Sequence, residues 1–121
     1  MDGGRSTWNQ WPVKIYIRNI CEEDIKNGDT PRYKWSIFID RTEPSSFMQV
    51  IDKVTYHLHS TFTQPDFEVK RGQNDNFRLD AAGWGEFTVG IDIEYLGKVQ
   101  KAKHNLVLTE RGNITQITLK S

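Results

Sequence analysis

Two short segments carry the chemistry in this chain: His57-Leu58-His59-Ser60-Thr61-Phe62 and Ala82-Gly83-Trp84-Gly85-Glu86-Phe87. Each follows a strand-like stretch and sets an aromatic beside small or polar residues. Two aromatics on neighbouring loops can hold a flat, neutral, polar group between their faces. A glycine-flanked backbone N–H can donate to that group's oxygen without steric cost. A second arrangement stays open on the residues alone. His57 and His59 lie two apart, so a strand would turn both to one side, and with His104 they could hold a metal ion. No carboxylate pattern accompanies them, and a histidine there serves equally as a hydrogen-bonding strut. Thr61 beside His59 could mimic a nucleophile and base, but no oxyanion site goes with it beyond the glycine turn. We expect no catalytic residues, no metal and no cofactor.

The elements that must position these segments read as strands. Val13, Ile15 and Ile17 alternate with Lys14, Tyr16 and Arg18, which is the period of a half-buried strand. Glu22 to Arg32 is polar, with turn signals at Asn27-Gly28-Asp29 and Pro31, and reads as a long loop. Trp35, Ile37 and Ile39 alternate again up to about Asp40, with Trp35 inward. Ser45 to Asp52 fits a short helical turn or an irregular lead into the next strand, where Val54, Tyr56 and Leu58 share a face. Gln64-Pro65-Asp66 breaks that strand. Phe77 and Leu79 mark a short strand before the Gly83 turn. The longest clean alternation is Phe87, Val89, Ile91, Ile93 and Tyr95 inward against Glu86, Thr88, Gly90, Asp92 and Glu94 outward. After a turn at Gly97, Leu106 with Leu108 and Ile117 with Leu119 suggest two final strands. One wet face per sheet favours antiparallel pairing, and seven to eight short strands favour a sandwich.

Composition sets the outer limits. The chain has 121 residues, which fits one domain. We expect a flexible N-terminal segment over 1–10 and the folded domain over 11–121. The single cysteine, Cys21, excludes an internal disulfide and a multi-cysteine metal site. With 16 basic and 16 acidic side chains the net charge is +0, without the basic excess that tight non-specific nucleic-acid binding needs. Lys70 with Arg71, and Lys98 with Lys101 and Lys103, read as solubility features. No apolar run approaches the roughly 20 residues of a membrane span. The first seven residues have no apolar stretch of a secretory signal, so Asn113-Ile114-Thr115 reads as a chance glycosylation match.

The ordered combination of Tyr56-His57-Leu58-His59-Ser60-Thr61-Phe62, Pro65 and Gly83-Trp84-Gly85-Glu86-Phe87 resembles the YEATS domain family. Trp35 opening a strand and His104-Asn105-Leu106 opening another fit the same pattern, and the matches run from about Val13 to Leu119. Either half of the combination alone would be weak. The resemblance implies an immunoglobulin-like antiparallel β-sandwich that recognises acylated lysine, acetyl- or crotonyl-lysine, in peptides such as histone tails. It implies Phe62 and Trp84 as the two walls of an aromatic sandwich, with His59 and Thr61 orienting the modified lysine. The Trp84 amide would hold the acyl carbonyl, and Gly83 and Gly85 would leave room for it. Tyr33, Ser60 and Asn105 would make flanking peptide contacts. The implied partner is an acylated lysine peptide, with membership of a larger multi-subunit complex, and neither a membrane nor sequence-specific nucleic acid. The implied location is nuclear for a eukaryotic member, cytoplasmic for a prokaryotic one, and not secreted.

The chain departs from the family in three places. Pro31, with Tyr33 close by, stands where many members have an aromatic or histidine. Asn74-Asp75-Asn76-Phe77 replaces a Pro-Pro-aromatic stretch, and Asn105 replaces an aspartate. These departures resemble the prokaryotic YEATS-like branch, whose domains stand beside signalling and defence modules. The alternative is therefore a protein-interaction or ligand-sensing module without histone binding.

Overall fold

A computed structural model of the chain describes residues 8–27, 30–60, 62, 64–83 and 85–120, with the backbone alone for 23–27 and 30–32. Eight strands are joined by one short 3-10 helix. They are β1 (Val13–Asn27), β2 (Thr30–Glu43), β3 (Ile51–His57), β4 (Asp66–Lys70), β5 (Leu79–Gly83), β6 (Thr88–Tyr95), β7 (Lys98–Asn105) and β8 (Asn113–Leu119), with the 3-10 turn at Ser45–Gln49 between β2 and β3. They form two four-stranded sheets, ordered β5-β2-β1-β8 and β4-β3-β6-β7, and every pairing is antiparallel. The β1-β2-β5 and β3-β6-β7 groupings match the immunoglobulin-like order. The expected all-β sandwich is the observed fold.

Alternation builds the core between the sheets. Val13, Ile15 and Ile17 of β1, Trp35, Ile37 and Ile39 of β2, and Val89, Ile91, Ile93 and Tyr95 of β6 all face inward and are buried. Each fully buried branched side chain contributes roughly 1.5–3 kcal/mol. Tyr56 is buried among them, and its hydroxyl donates to the Phe77 carbonyl at 2.7 Å. Of the segment expected to be flexible, residues 1–7 lie outside the described residues. Trp8 packs edge-on against Phe47 at 5.0 Å, and Trp11 lies 6.1 Å from the same ring.

Three local expectations change. Glu22 to Arg32 is not a long loop: β1 runs to Asn27 and pairs in register with β2 from Thr30. Cross-strand backbone bonds form there without an apolar alternation to announce them. Leu106 and Leu108 do not start a strand. The strand is β7, ahead of them, and its polar Lys98–Asn105 sequence suits a sheet edge, with only His104 fully inward. Phe77 lies before β5 with φ of 56°, in a turn built by Asn74. The Asn74 side-chain oxygen accepts from the Asn76 and Arg78 amides at 3.3 and 2.7 Å. This replacement for the Pro-Pro-aromatic stretch sits at the opposite end of β5 from Gly83.

One end of the sandwich gathers the loops that matter. β3, β5 and β7 end there, and β2, β4, β6 and β8 begin there, as the register pairs His57 with Asp66, Tyr33 with Gly83, Thr88 with Asn105 and Asn19 with Asn113.

Candidate functional site

The 58–65 loop leaves β3 and is closed by the Leu58 amide donating to the Pro65 carbonyl at 2.6 Å. Inside it a tight turn lets the Phe62 amide donate to the His59 carbonyl at 3.0 Å. That turn sends the half-buried Phe62 ring toward the sheet end and leaves His59 and Ser60 exposed. The second loop, after Gly83, is held by its neighbours. Leu108 donates its amide to the Glu86 carboxylate at 2.8 Å, and Leu106 donates to the Phe87 carbonyl at 2.9 Å.

The two loops meet in an aromatic cluster. Phe62 and Phe87 lie 5.5 Å apart, and His59 lies 6.1 Å from Phe87. Trp35 stands edge-on beneath them, 6.5 Å from Phe62 and 6.0 Å from Phe87. Gly83 borders the same place: a Cβ there would sit 3.4 Å from Phe62 Cζ and 3.8 Å from Trp35 Nε1. Tyr33 is the register partner of Gly83 across β2 and β5 and shares a strand face with Trp35. Around Gly85 a Cβ would meet nothing within 4 Å.

Of the residues singled out from sequence, His59, Phe62, Gly83 and Tyr33 therefore converge on one end. Ser60 is exposed beside them. Asn105 is at the same end, but its side-chain oxygen accepts from Thr88 Oγ1 at 2.9 Å. Thr61 and Trp84 lie outside the described residues. Two members of the cluster were missed. Phe87 reads in sequence as the first inward residue of a strand, yet β6 begins at Thr88 and Phe87 belongs to the loop. Trp35 reads as core, which it is, but its indole N–H borders the cluster. The signal available for Phe87 was its place two residues after Gly85 in the same motif.

The histidines have separate jobs. β3 ends at His57, so the same-face argument does not extend to His59. His57 Nδ1 meets Asp66 at 2.8 Å and Nε2 meets Asp92 at 3.0 Å. Both ring nitrogens must donate, which is the imidazolium pattern. The hydrogen bond to Asp66, then that to Asp92, raises its pKa. His104 is fully buried, with Nε2 2.7 Å from Asn19 Oδ1 and Nδ1 2.7 Å from Thr115 Oγ1. The asparagine oxygen can only accept, so Nε2 carries the proton and Nδ1 accepts from threonine. Desolvation pushes the His104 pKa down to about 4. Among the described residues, no three His, Cys, Asp or Glu side chains are grouped to hold a metal ion. No helix among them is long and apolar enough to cross a membrane.

A family model for the prokaryotic YEATS domain matches residues 33–108. The chain belongs to the YEATS domain family. Something about silencing protein 5 of Saccharomyces cerevisiae is 31% identical over 104 residues, covering 81% of this chain and 40% of that protein. Transcription initiation factor TFIID subunit 14 of Schizosaccharomyces pombe is 34% identical over 98 residues, covering 71% and 39%. This YEATS domain thus spans less than half the length of these curated relatives. The Yaf9 YEATS domain, solved bound to H3K27ac, superposes with a TM-score of 0.65 at 24% identity, covering 90% of this chain and 83% of that one. At that identity the likeness carries the fold.

Proposed function

We propose that this YEATS domain binds an acylated lysine in a peptide at the Phe62–Phe87 end of the sandwich, without catalysis. The observation that carries this reading is the convergence of Phe62, Phe87 and His59 from two loops on Gly83. An acyl-lysine is an amide: it has lost the ammonium charge and kept a flat polar head. Aromatic faces suit such a group, each good stacked pair adding about 0.5–1.5 kcal/mol beyond area burial. A carboxylate would be the wrong partner, and the nearby Glu86 carboxylate is turned to the Leu108 amide. Phe62 and Trp84 would form the two walls, His59 and Thr61 would orient the modified lysine, and the Trp84 amide would donate to the acyl carbonyl. Gly83 and Gly85 would leave room, with Tyr33, Ser60 and Asn105 beside the flanking peptide.

Related structures support the same reading, since Yaf9 YEATS domains were solved with H3K27ac and with an H3K122suc peptide. A histone tail is therefore the first peptide to test, and the TFIID-subunit relative makes membership of a multi-subunit assembly part of the proposal. The match to the prokaryotic family model favours a second reading, an interaction or ligand-sensing module without histone binding.

The deciding experiment titrates the protein with matched unmodified, acetylated and crotonylated lysine peptides, read by tryptophan fluorescence. Binding of the acylated peptides alone, lost in Trp84→Ala with the fold retained, is the expected result. Equal affinity in Trp84→Ala would sink the site. No binding to any peptide would leave the second reading.

A further inference from the structure

Trp35 is fully buried, and its indole N–H has no hydrogen-bond partner among the described residues. A buried donor left unpaired is unfavourable and calls for an explanation. The fold satisfies comparable donors elsewhere: the buried Tyr56 hydroxyl reaches the Phe77 carbonyl, and the Trp11 indole reaches the Trp8 carbonyl at 2.8 Å. Trp8 Nε1 is also unpaired, but it lies at the opposite end of the sandwich, next in sequence to residues outside the described set.

The surroundings of Trp35 Nε1 point to a ligand. The indole forms the floor beneath Phe62 and Phe87. A Cβ on Gly83 would lie in contact with both Phe62 Cζ, at 3.4 Å, and Trp35 Nε1, at 3.8 Å, so a side-chain-free residue adjoins the unused donor. A glycine, a ring edge and an unused donor therefore meet at one point.

We propose that Trp35 Nε1–H donates a hydrogen bond to the acyl chain, and that the preferred acyl group carries a second neutral oxygen acceptor besides its amide carbonyl. A 3-hydroxybutyryl group has that oxygen, and a butyryl group of the same chain length does not. The inference rests on the acyl-lysine reading and narrows its ligand class. A neutral oxygen fits better than a carboxylate. Trp35, Phe62, Phe87 and Gly83 offer no cation, and burying an unpaired charge costs far more than burying a hydroxyl. An acyl chain without that second oxygen would leave the donor unpaired.

The test is calorimetric titration of the protein with two peptides identical except for butyryl- or 3-hydroxybutyryl-lysine. One net hydrogen bond corresponds to roughly threefold to tenfold tighter binding of the hydroxyacyl peptide. Trp35→Phe removes the donor, and Gly83→Ala places a methyl over it, so both should bring the ratio to about one. Equal or weaker wild-type binding of the hydroxyacyl peptide, with butyryl peptide bound, overturns this inference and leaves the reader function standing. Failure of both peptides and of the acetylated and crotonylated ones overturns both. Should Trp35→Phe fail to fold, the wild type still decides through its indole proton–nitrogen resonances, assigned by substituting the other tryptophans. A downfield shift of the Trp35 signal with the hydroxyacyl peptide and not with the butyryl peptide is expected. The same response to both peptides overturns the inference.

Discussion

At the aromatic cluster the Phe62 and Phe87 rings lie 5.5 Å apart, within the range of an interacting aromatic pair. Phe87 is half-buried, with His59 6.1 Å and Trp35 6.0 Å away, so in the proposed acyl-lysine site it can serve as a wall as well as a prop for Phe62. Phe87→Leu separates these roles, because it keeps the bulk and removes the ring. The wall role predicts a loss of acyl-peptide affinity of about twofold to tenfold, the size of one aromatic pair, with a melting temperature within a few degrees of wild type. Unchanged affinity measured by calorimetry would leave Phe87 as a prop only.

At the scale of elements, the loop after Gly83 is held in place by another, the 106–112 segment between β7 and β8. It takes Glu86 through the Leu108 amide and is pinned to β1 by the Cys21 amide donating to Thr109 O at 3.2 Å. The turn depends on Gly112, which has φ of +63° and would place a Cβ 1.6 Å from the Asn19 carbonyl oxygen. No side chain fits there without moving one strand or the loop. Gly112→Ala should therefore destabilise the domain by about 2 kcal/mol or more, by strain and clash together. Gly85→Ala is the contrasting variant, since nothing lies within 4 Å of its Cβ and no positive φ is involved. It should melt like wild type in a thermal scan, and equal melting of the two variants would refute the structural role given to Gly112.

At the scale of the whole molecule, His104 is a polar bridge across the apolar core. It comes from β7 in one sheet and bonds Asn19 on β1 and Thr115 on β8 in the other. Asn19 in turn donates to the Val107 carbonyl at 2.8 Å, so the bridge also holds the 106–112 segment. Its folded pKa of about 4 lies below the ordinary 6.5. Between those values the unfolded chain takes up a proton that the folded protein refuses, so stability falls as pH falls through the window. The slope contributed reaches at most about 1.4 kcal/mol per pH unit. His57 has the opposite sign. Its raised pKa gives stability that is present below 6.5 and lost as pH rises through the folded value, and its exposure to solvent keeps that term small. Urea midpoints at pH 7 and pH 4.5 should separate more in the wild type than in His104→Gln. Parallel losses in the two proteins would remove His104 as the source of the acid sensitivity.

Local sequence was enough for whatever depends on which face of a strand is wet. The alternations at Val13–Ile17, Trp35–Ile39 and Val89–Tyr95 state a two-layer antiparallel fold, because burial on one side imposes a period of two. The same property explains what was hidden. β7 and the stretches 22–27 of β1 and 30–32 of β2 lack an apolar alternation, since backbone pairing holds them in place without one, and β7 lies at a sheet edge. The segments around Phe62 and Gly83 were legible as a motif. That Phe87 and the Trp35 indole join them was not, because those contacts come from three separate parts of the chain. The histidines show the limit most plainly. His57 and His104 are the same residue type in similar strand contexts, yet one lies between two carboxylates that raise its pKa and the other is buried, where desolvation lowers it. Sequence determined that imidazoles would be present. Only the tertiary structure decided their charge, because a pKa follows from the groups that folding brings within a few ångströms.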